Sequence, residues 1–307
     1  MKWTPFPVAL AAVVLLAACG DDEAASDASQ ATVAATTSQA EAPTTSTLPP
    51  PSKIVSLSPT ATEMLFAIGA GDQVVAIDDT SNYPPEALEK PHDLSSFEPN
   101  VEAVAALKPD LVVIADDFTG ITTQLEGLGL TVWSGPAPMT FDAVYDQIEQ
   151  LGAITGHVGE AAALVLKMQT DIDAVVKAAP QPATPLTYYH ELDNTYYSVT
   201  ENTFIGQVYS LFGLQSIADF QEVDSDYPQL SAEAIISADP DFIFLADGAF
   251  GESPETVAAR PGWGSLKAVT NGDVVVVDAD ISSRWGPRVV DYVAAVADAV
   301  ATAAVSG

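Results

Sequence analysis

The chain has 307 residues, with 10 Lys+Arg against 42 Asp+Glu and a formal net charge of −32 at pH 7. Such a field makes nucleic acid and anionic membrane surfaces poor partners. Cys19 is the only cysteine, which excludes an intramolecular disulfide.

In chain order, residues 1–18 carry Lys2 and then an apolar run from Val8 to Ala18, too short to span a bilayer as a helix. They predict a signal peptide. Leu16-Ala17-Ala18-Cys19 resembles a bacterial lipobox, which implies cleavage before Cys19 and lipid attachment to its sulfur. Residues 19–51 are acidic, rich in Ala, Ser, Thr and Pro, and lack aromatic side chains. They cannot bury enough surface to offset their ordering entropy and predict a disordered tether. From Ser52 onward, 256 residues carry a net charge of −28. That length suffices for two domains with cores, and the acidic, lysine-poor composition also fits a salt-rich habitat.

Lys53 to Leu57 predicts a strand, and Thr60-Ala61-Thr62-Glu63 has the capping-box pattern that would open a helix running to Gly69. Val74 to Ile77 and Thr131 to Trp133 predict further strands. Between them lies EAVAALKPDLVVIADD, Glu102 to Asp117. It returns 131 residues later as EAIISADPDFIFLADG, Glu233 to Gly248, with six of sixteen positions identical. Asn100 and Ser231 predict helix N-caps, with Glu102 and Glu233 in the first turns. Pro109 and Pro240 end the helices. The apolar runs LVVIA and FIFLA read as strands buried on both faces. After residue 180 the pattern starts afresh: strand over Leu186 to Leu192, helix over Phe204 to Leu211, strands over Asp241 to Ala246 and Val274 to Val277, and a closing helix over Pro287 to Val305.

Residues 157–179 contain no proline, and Val158, Ala161, Ala162, Val165, Met168, Ile172, Val175 and Val176 recur at helical spacing. They predict one continuous helix of about 30 Å. The expected organisation is therefore α/β: two parallel-sheet lobes, 52–156 and 180–307, joined by one long rigid helix, 157–179.

The segments IVSLSPTATEMLFAIGAGDQVVAID, SNYPPEA, NVEAVAALKPDLVV, TFIGQVYSLFGL, YPQLSAEAIISADPDFI and GPRVVDYV resemble the substrate-binding lipoproteins of ABC importers for ferric siderophores and cobalamin. The resemblance runs from about Lys53 to the end of the chain, and SNYPP and YPQLS look nearest to the cobalamin binders. It implies an extracytoplasmic monomer, anchored to the membrane only through its N-terminal lipid, that delivers a small metal chelate to a permease dimer. It also implies that Glu102 and Glu233 pair with arginines on the two permease subunits. Glu63 reads as a capping-box glutamate.

Ligands of α/β sheets sit beyond the carboxyl ends of the strands. Ser58, Tyr83, Phe97, Asp116, Phe118, Trp133, His190, Tyr227, Asp247, Arg284 and Trp285 are the candidates there. A macrocycle or chelate needs aromatic walls and few polar anchors, and Phe97 and Trp285 stand in polar loop sequence. Arg284 could hold a phosphate or carboxylate; for Arg288 that role and a helix-surface ion pair remain open. His190 reads as a polar cleft or core histidine, with axial ligation of cobalt or iron as the lesser alternative. Three histidines do not form the set a bare metal ion would need, and no cofactor is expected. No nucleophile elbow, Walker loop or His-Glu-x-x-His motif suggests an enzyme. With three arginines in the chain, near-neutral cobalamin suits the cleft best, with a neutral to cationic ferric hydroxamate as the alternative. Haem and a purely structural surface lipoprotein are less favoured readings.

Overall fold

The computed structural model describes residues 49–117, 119–182, 184–222 and 224–306. The signal peptide, Cys19, nearly all of the tether and Phe118 lie outside the described residues.

Two four-stranded parallel sheets carry the fold, and they share one topology. The first contains β1 (Ile54–Leu57), β2 (Val74–Ile77), β3 (Leu111–Ile114) and β4 (Val132–Ser134), in the order β2-β1-β3-β4. Its helices are α1 (Pro59–Ala67), α2 (Val101–Ala106), α3 (Ile121–Gly127) and α4 (Phe141–Thr155). The linking helix α5 (Val158–Ala178) follows. The second sheet contains β5 (Leu186–Glu191), β6 (Leu214–Ser216), β7 (Phe242–Leu245) and β8 (Val274–Val276), in the order β6-β5-β7-β8. Its helices are α6 (Phe204–Ser210), α7 (Ala232–Ala238), α8 (Pro254–Ala259), α9 (Lys267–Asn271), α10 (Ala279–Ser283) and α11 (Val289–Ser306).

Strands β1, β3 and β7 are buried at every position, as apolar runs covered on both faces must be. One continuous core joins the inner faces of both sheets to α1, α4, α5, α6 and α11. Separate apolar clusters cover the outer face of each sheet. Helix α5 turns Ala161, Val165, Met168 and Ile172 into the shared core, while Val158 and Ala162 stay exposed at its first turn. A β-carbon on Gly152 would stand 2.4 Å from that of Ala161, so this glycine is what allows α4 to lie so close to α5.

The duplicated unit folds alike in both lobes. Asn100 and Ser231 cap α2 and α7, accepting hydrogen bonds from the amides of Ala103 and Ala234. Before each proline a non-glycine residue turns left-handed, Lys108 at φ 50° and Asp239 at φ 47°. The aspartate after each proline then clips the start of the neighbouring central strand. Asp110 Oδ2 accepts from the Ser52 amide and hydroxyl, both at 2.8 Å, and from the Lys53 amide at 3.0 Å. Asp241 Oδ2 accepts from the Thr187 amide at 2.8 Å and hydroxyl at 3.1 Å.

One expectation needs correction. Ser58, not Thr60, caps α1, accepting from the Ala61 amide, and Pro59 takes the first helical position. Glu63 therefore lies inside the helix, buried, and takes no part in a capping box.

The clip can be tested. Asp241→Ala leaves the Thr187 donors unpaired and should cost about 1–2 kcal/mol in urea unfolding, with the ligand site unaltered.

Candidate functional site

The register places the carboxyl ends of β1 and β3 side by side, Leu57 opposite Ile114. Beyond them opens a cavity of about 410 Å³, floored by Leu57, Ser58, Ile114, Ala115 and Asp116. Its walls come from Pro59, Thr60, Thr80, Ser96, Phe97, Pro99, Thr119 and Ile121 and, from the far end of the chain, Asp280, Ser283, Arg284 and Trp285. Ser58, Phe97, Asp116, Arg284 and Trp285 thus come together from the sequence candidates. Phe97 is 76% exposed, an apolar ring standing free beside the cavity. Trp285 donates its indole N–H to Gln147 Oε1 at 2.9 Å, and Gln147 donates in turn to the Pro136 carbonyl at 2.8 Å, which anchors the ring to α4.

The segment after β8 reaches back to the first lobe through buried charges. Glu63 Oε1 accepts from Arg284 Nη1 at 2.9 Å and from Arg288 Nη2 at 2.6 Å. Glu63 Oε2 accepts from Arg288 Nε at 2.9 Å. Arg284 also donates to Asn82 Oδ1, the Thr80 carbonyl and Asp280 Oδ1, at 2.8, 3.1 and 2.7 Å. Asn82 Nδ2 donates to Asp280 Oδ2 at 2.7 Å, a further tie between the lobes. Arg284 thus borders the cavity with four of its five N–H groups taken by the protein. Arg288 is an ion-pair partner of Glu63, and its guanidinium carbon lies 4.3 Å from the centroid of the Tyr83 ring. Tyr83 accordingly borders a different groove, between α1, α5 and the start of α11.

Other candidates lie elsewhere. Trp133 is buried in the first lobe, donating to Gln150 Oε1 at 3.2 Å. His190 is fully buried in central strand β5, its Nδ1 2.8 Å from the Tyr209 hydroxyl. Burial pushes its imidazole down to about 3, so it is neutral at pH 7 and does not reach the cavity. Tyr227 is half-exposed on the second lobe. Burial raises its hydroxyl pKa, and the charges of Asp226 and of Asp116 add to this, which places it within electrostatic reach of the first lobe.

The paired aspartates of the repeat have parted in role. Asp116 is partly exposed at the cavity and makes no hydrogen bond or ion pair with any described residue. Asp247 is 2% exposed, borders no part of the cavity, and has neither oxygen hydrogen-bonded. Its neighbour Glu191 is held by Arg260 through two bonds of 2.6 Å, and Arg260 also donates to Glu252 at 2.7 Å. The same guanidinium packs on Trp263 and Tyr196. Burial first, then the Glu191 charge, push the Asp247 carboxyl up to about 7. Sequence spacing missed this cluster because Arg260 and Glu191 are distant in the chain. All three arginines are therefore ion-paired within the protein. Among the described residues, no cluster of three or more His, Cys, Asp or Glu side chains is arranged to hold a bare metal ion. Likewise, none of their helices is long and apolar enough to cross a membrane.

The sequence profile of a family described as "Periplasmic binding protein" matches residues 54–281. A relative named "Cobalamin-binding protein", from Halobacterium salinarum, is 33% identical over 81% of this chain and 69% of its own length. One named "Uncharacterized ABC transporter substrate-binding lipoprotein YvrC", from Bacillus subtilis, is 31% identical over 81% of this chain and 80% of its own. Among solved structures, the periplasmic vitamin B12 binding protein BtuF of Vibrio cholerae superposes with a TM-score of 0.69 at 28% identity, covering 84% of this chain and 98% of that one.

The buried carboxyl gives a pH prediction. The folded pKa of Asp247 lies above its unfolded value, so its contribution is fully present below about pH 4 and is lost as pH rises to about 7. Asp247→Asn cannot ionise. Its stability advantage over wild type should widen between pH 4 and pH 7, by on the order of 2–4 kcal/mol, and stay level above pH 7. Denaturant unfolding at stepped pH checks this; a constant offset at every pH would count against it.

Proposed function

Because the chain belongs to the periplasmic binding protein family of ABC importers for iron chelates and cobalamin, we propose that it captures a near-neutral metal chelate, cobalamin before others, and hands it to the importer's membrane subunits. Members of this family are transport components and not enzymes. One observation carries the choice of ligand class: every arginine is already ion-paired, and among the described residues no lysine borders the cavity and the one unpaired charge in its wall is the carboxylate of Asp116. A strongly anionic catecholate chelate would find no counter-charge there. A corrin, with neutral amides around an apolar macrocycle, meets Phe97 and Trp285 and loses nothing by the absence of a cation. The names of the relatives favour the same ligand.

Absorbance retained after desalting, with cyanocobalamin, a ferric hydroxamate and a ferric catecholate as ligands, tests the reading. Cyanocobalamin should be retained, and its affinity should change less than about threefold between 50 and 500 mM salt, since no ligand ion pair forms. Tight retention of the trianionic catecholate, weakening steeply with salt, would sink it.

Delivery rests on Glu102 and Glu233. Both are exposed at equivalent positions in the first turns of α2 and α7, and neither has a hydrogen-bond or ion-pair partner among the described residues. Facing arginines on two membrane subunits, they would steer and orient docking. Glu102→Arg and Glu233→Arg should each reduce cellular uptake, the double variant most, while affinity of the purified protein stays within about twofold, since neither borders the cavity. Normal uptake by the double variant at matched protein levels would refute this role.

A further inference from the structure

We propose that Asp116 selects the ligand by the charge of its periphery: it accepts hydrogen bonds from primary carboxamides at the edge of a macrocyclic chelate and turns away macrocycles with carboxylates in their place. The inference rests on the proposed capture of such a chelate and adds the chemical class that the site prefers.

Three observations carry it. Asp116 stands at the carboxyl end of β3, in the cavity floor, partly exposed and without a hydrogen-bond or ion-pair partner among the described residues. Its acceptors are therefore free for a ligand. The other charged groups in the wall, Asp280 and Arg284, neutralise one another at 2.7 Å, and Arg284 is bound further to Glu63. Among the described residues that line the cavity, no cation is left to offset Asp116 or to welcome an incoming carboxylate. Finally, the matching aspartate of the second lobe, Asp247, is shut inside its own lobe. Selection by a carboxylate thus falls to one lobe.

The chemistry is asymmetric. An amide edge presents N–H donors to Asp116. A carboxylate edge presents only acceptors, so it both leaves Asp116 unpaired and repels it in a partly desolvated space. Rejection through an unpaired group discriminates more strongly than attraction alone.

Two corrinoid probes that differ in this feature test it: dicyanocobinamide, whose edge groups are amides, and dicyanocobyrinic acid, whose edge groups are carboxylates. Wild type should bind the amide form at least about thirtyfold more tightly. In Asp116→Asn the ratio should fall to about threefold or less, mainly because the acid form gains affinity, since asparagine can both donate and accept. The acidic surface as a whole repels a polyanion too, so Asp117→Asn, a neighbour that does not border the cavity, serves as the control and should keep the wild-type ratio. An unchanged ratio in Asp116→Asn, or an equal shift in Asp117→Asn, overturns the inference and leaves cobalamin capture standing. If wild type retains neither dicyanocobinamide nor cyanocobalamin, the proposed ligand class falls, and this inference falls with it.

Discussion

The cavity depends on one buried contact, the carboxylate of Glu63 shared between Arg284 and Arg288. Removing these charges from water is costly, and it is tolerated only because geometry and hydrogen bonding are close to complete. Both Glu63 oxygens are occupied, and Arg284 has three further acceptors. Two glutamate or aspartate charges balance two arginine charges. The contact holds the segment from Asp278 to Arg288 against the first lobe, and that segment supplies the cavity wall that ends in Trp285. A shape made by charges satisfied among themselves leaves none for the ligand, which is why the same cluster both builds the cavity and decides its polarity.

The duplicated unit shows how far local sequence determines local structure. Caps, left-handed turns before proline, clipping aspartates and buried strands recur at positions 131 residues apart because each arises from contacts within its own lobe. The next residues diverge. Asp116 meets open space, whereas Asp247 meets Glu191. The same residue type at the same place in the same motif borders the cavity in one lobe and is a buried acid beside Glu191 in the other.

This difference also marks what was legible in the sequence. Apolar runs, N-caps and the uninterrupted periodicity of 157–179 are short-range signals, and the strands and α5 follow them closely. The motif resemblance read from the chain gives the family. Strand β6 is only three residues long, and helix α4, although capped by Thr140 and closed by the left-handed Gly156, lies outside the elements that the sequence analysis names. The capping box at Thr60–Glu63 has the right spacing, but Pro59 is suited to the first helical position and moves the cap to Ser58. The destiny of Glu63 was out of reach, since its partner Arg284 lies 221 residues away. His190 sits in a strand whose polar residues suggest an open edge, yet pairing on both sides with β6 and β7 makes that strand central. For Trp133 and Tyr83, neither aromatic character nor position near a strand's carboxyl end distinguishes core from cleft.

The separation of Glu63 from its arginines has a consequence for the order in which the molecule can be completed. A polypeptide is made from its amino end, so the first lobe is synthesised in full while both counter-charges are still missing. Until residues 284–288 emerge, closing α1 onto its core would bury a carboxylate with no neutralising partner. Residues 284–288 therefore act as a late fastening of a structure begun far earlier in the chain. Until they are in place, the cost of that unpaired charge weighs against closing α1 onto its core early.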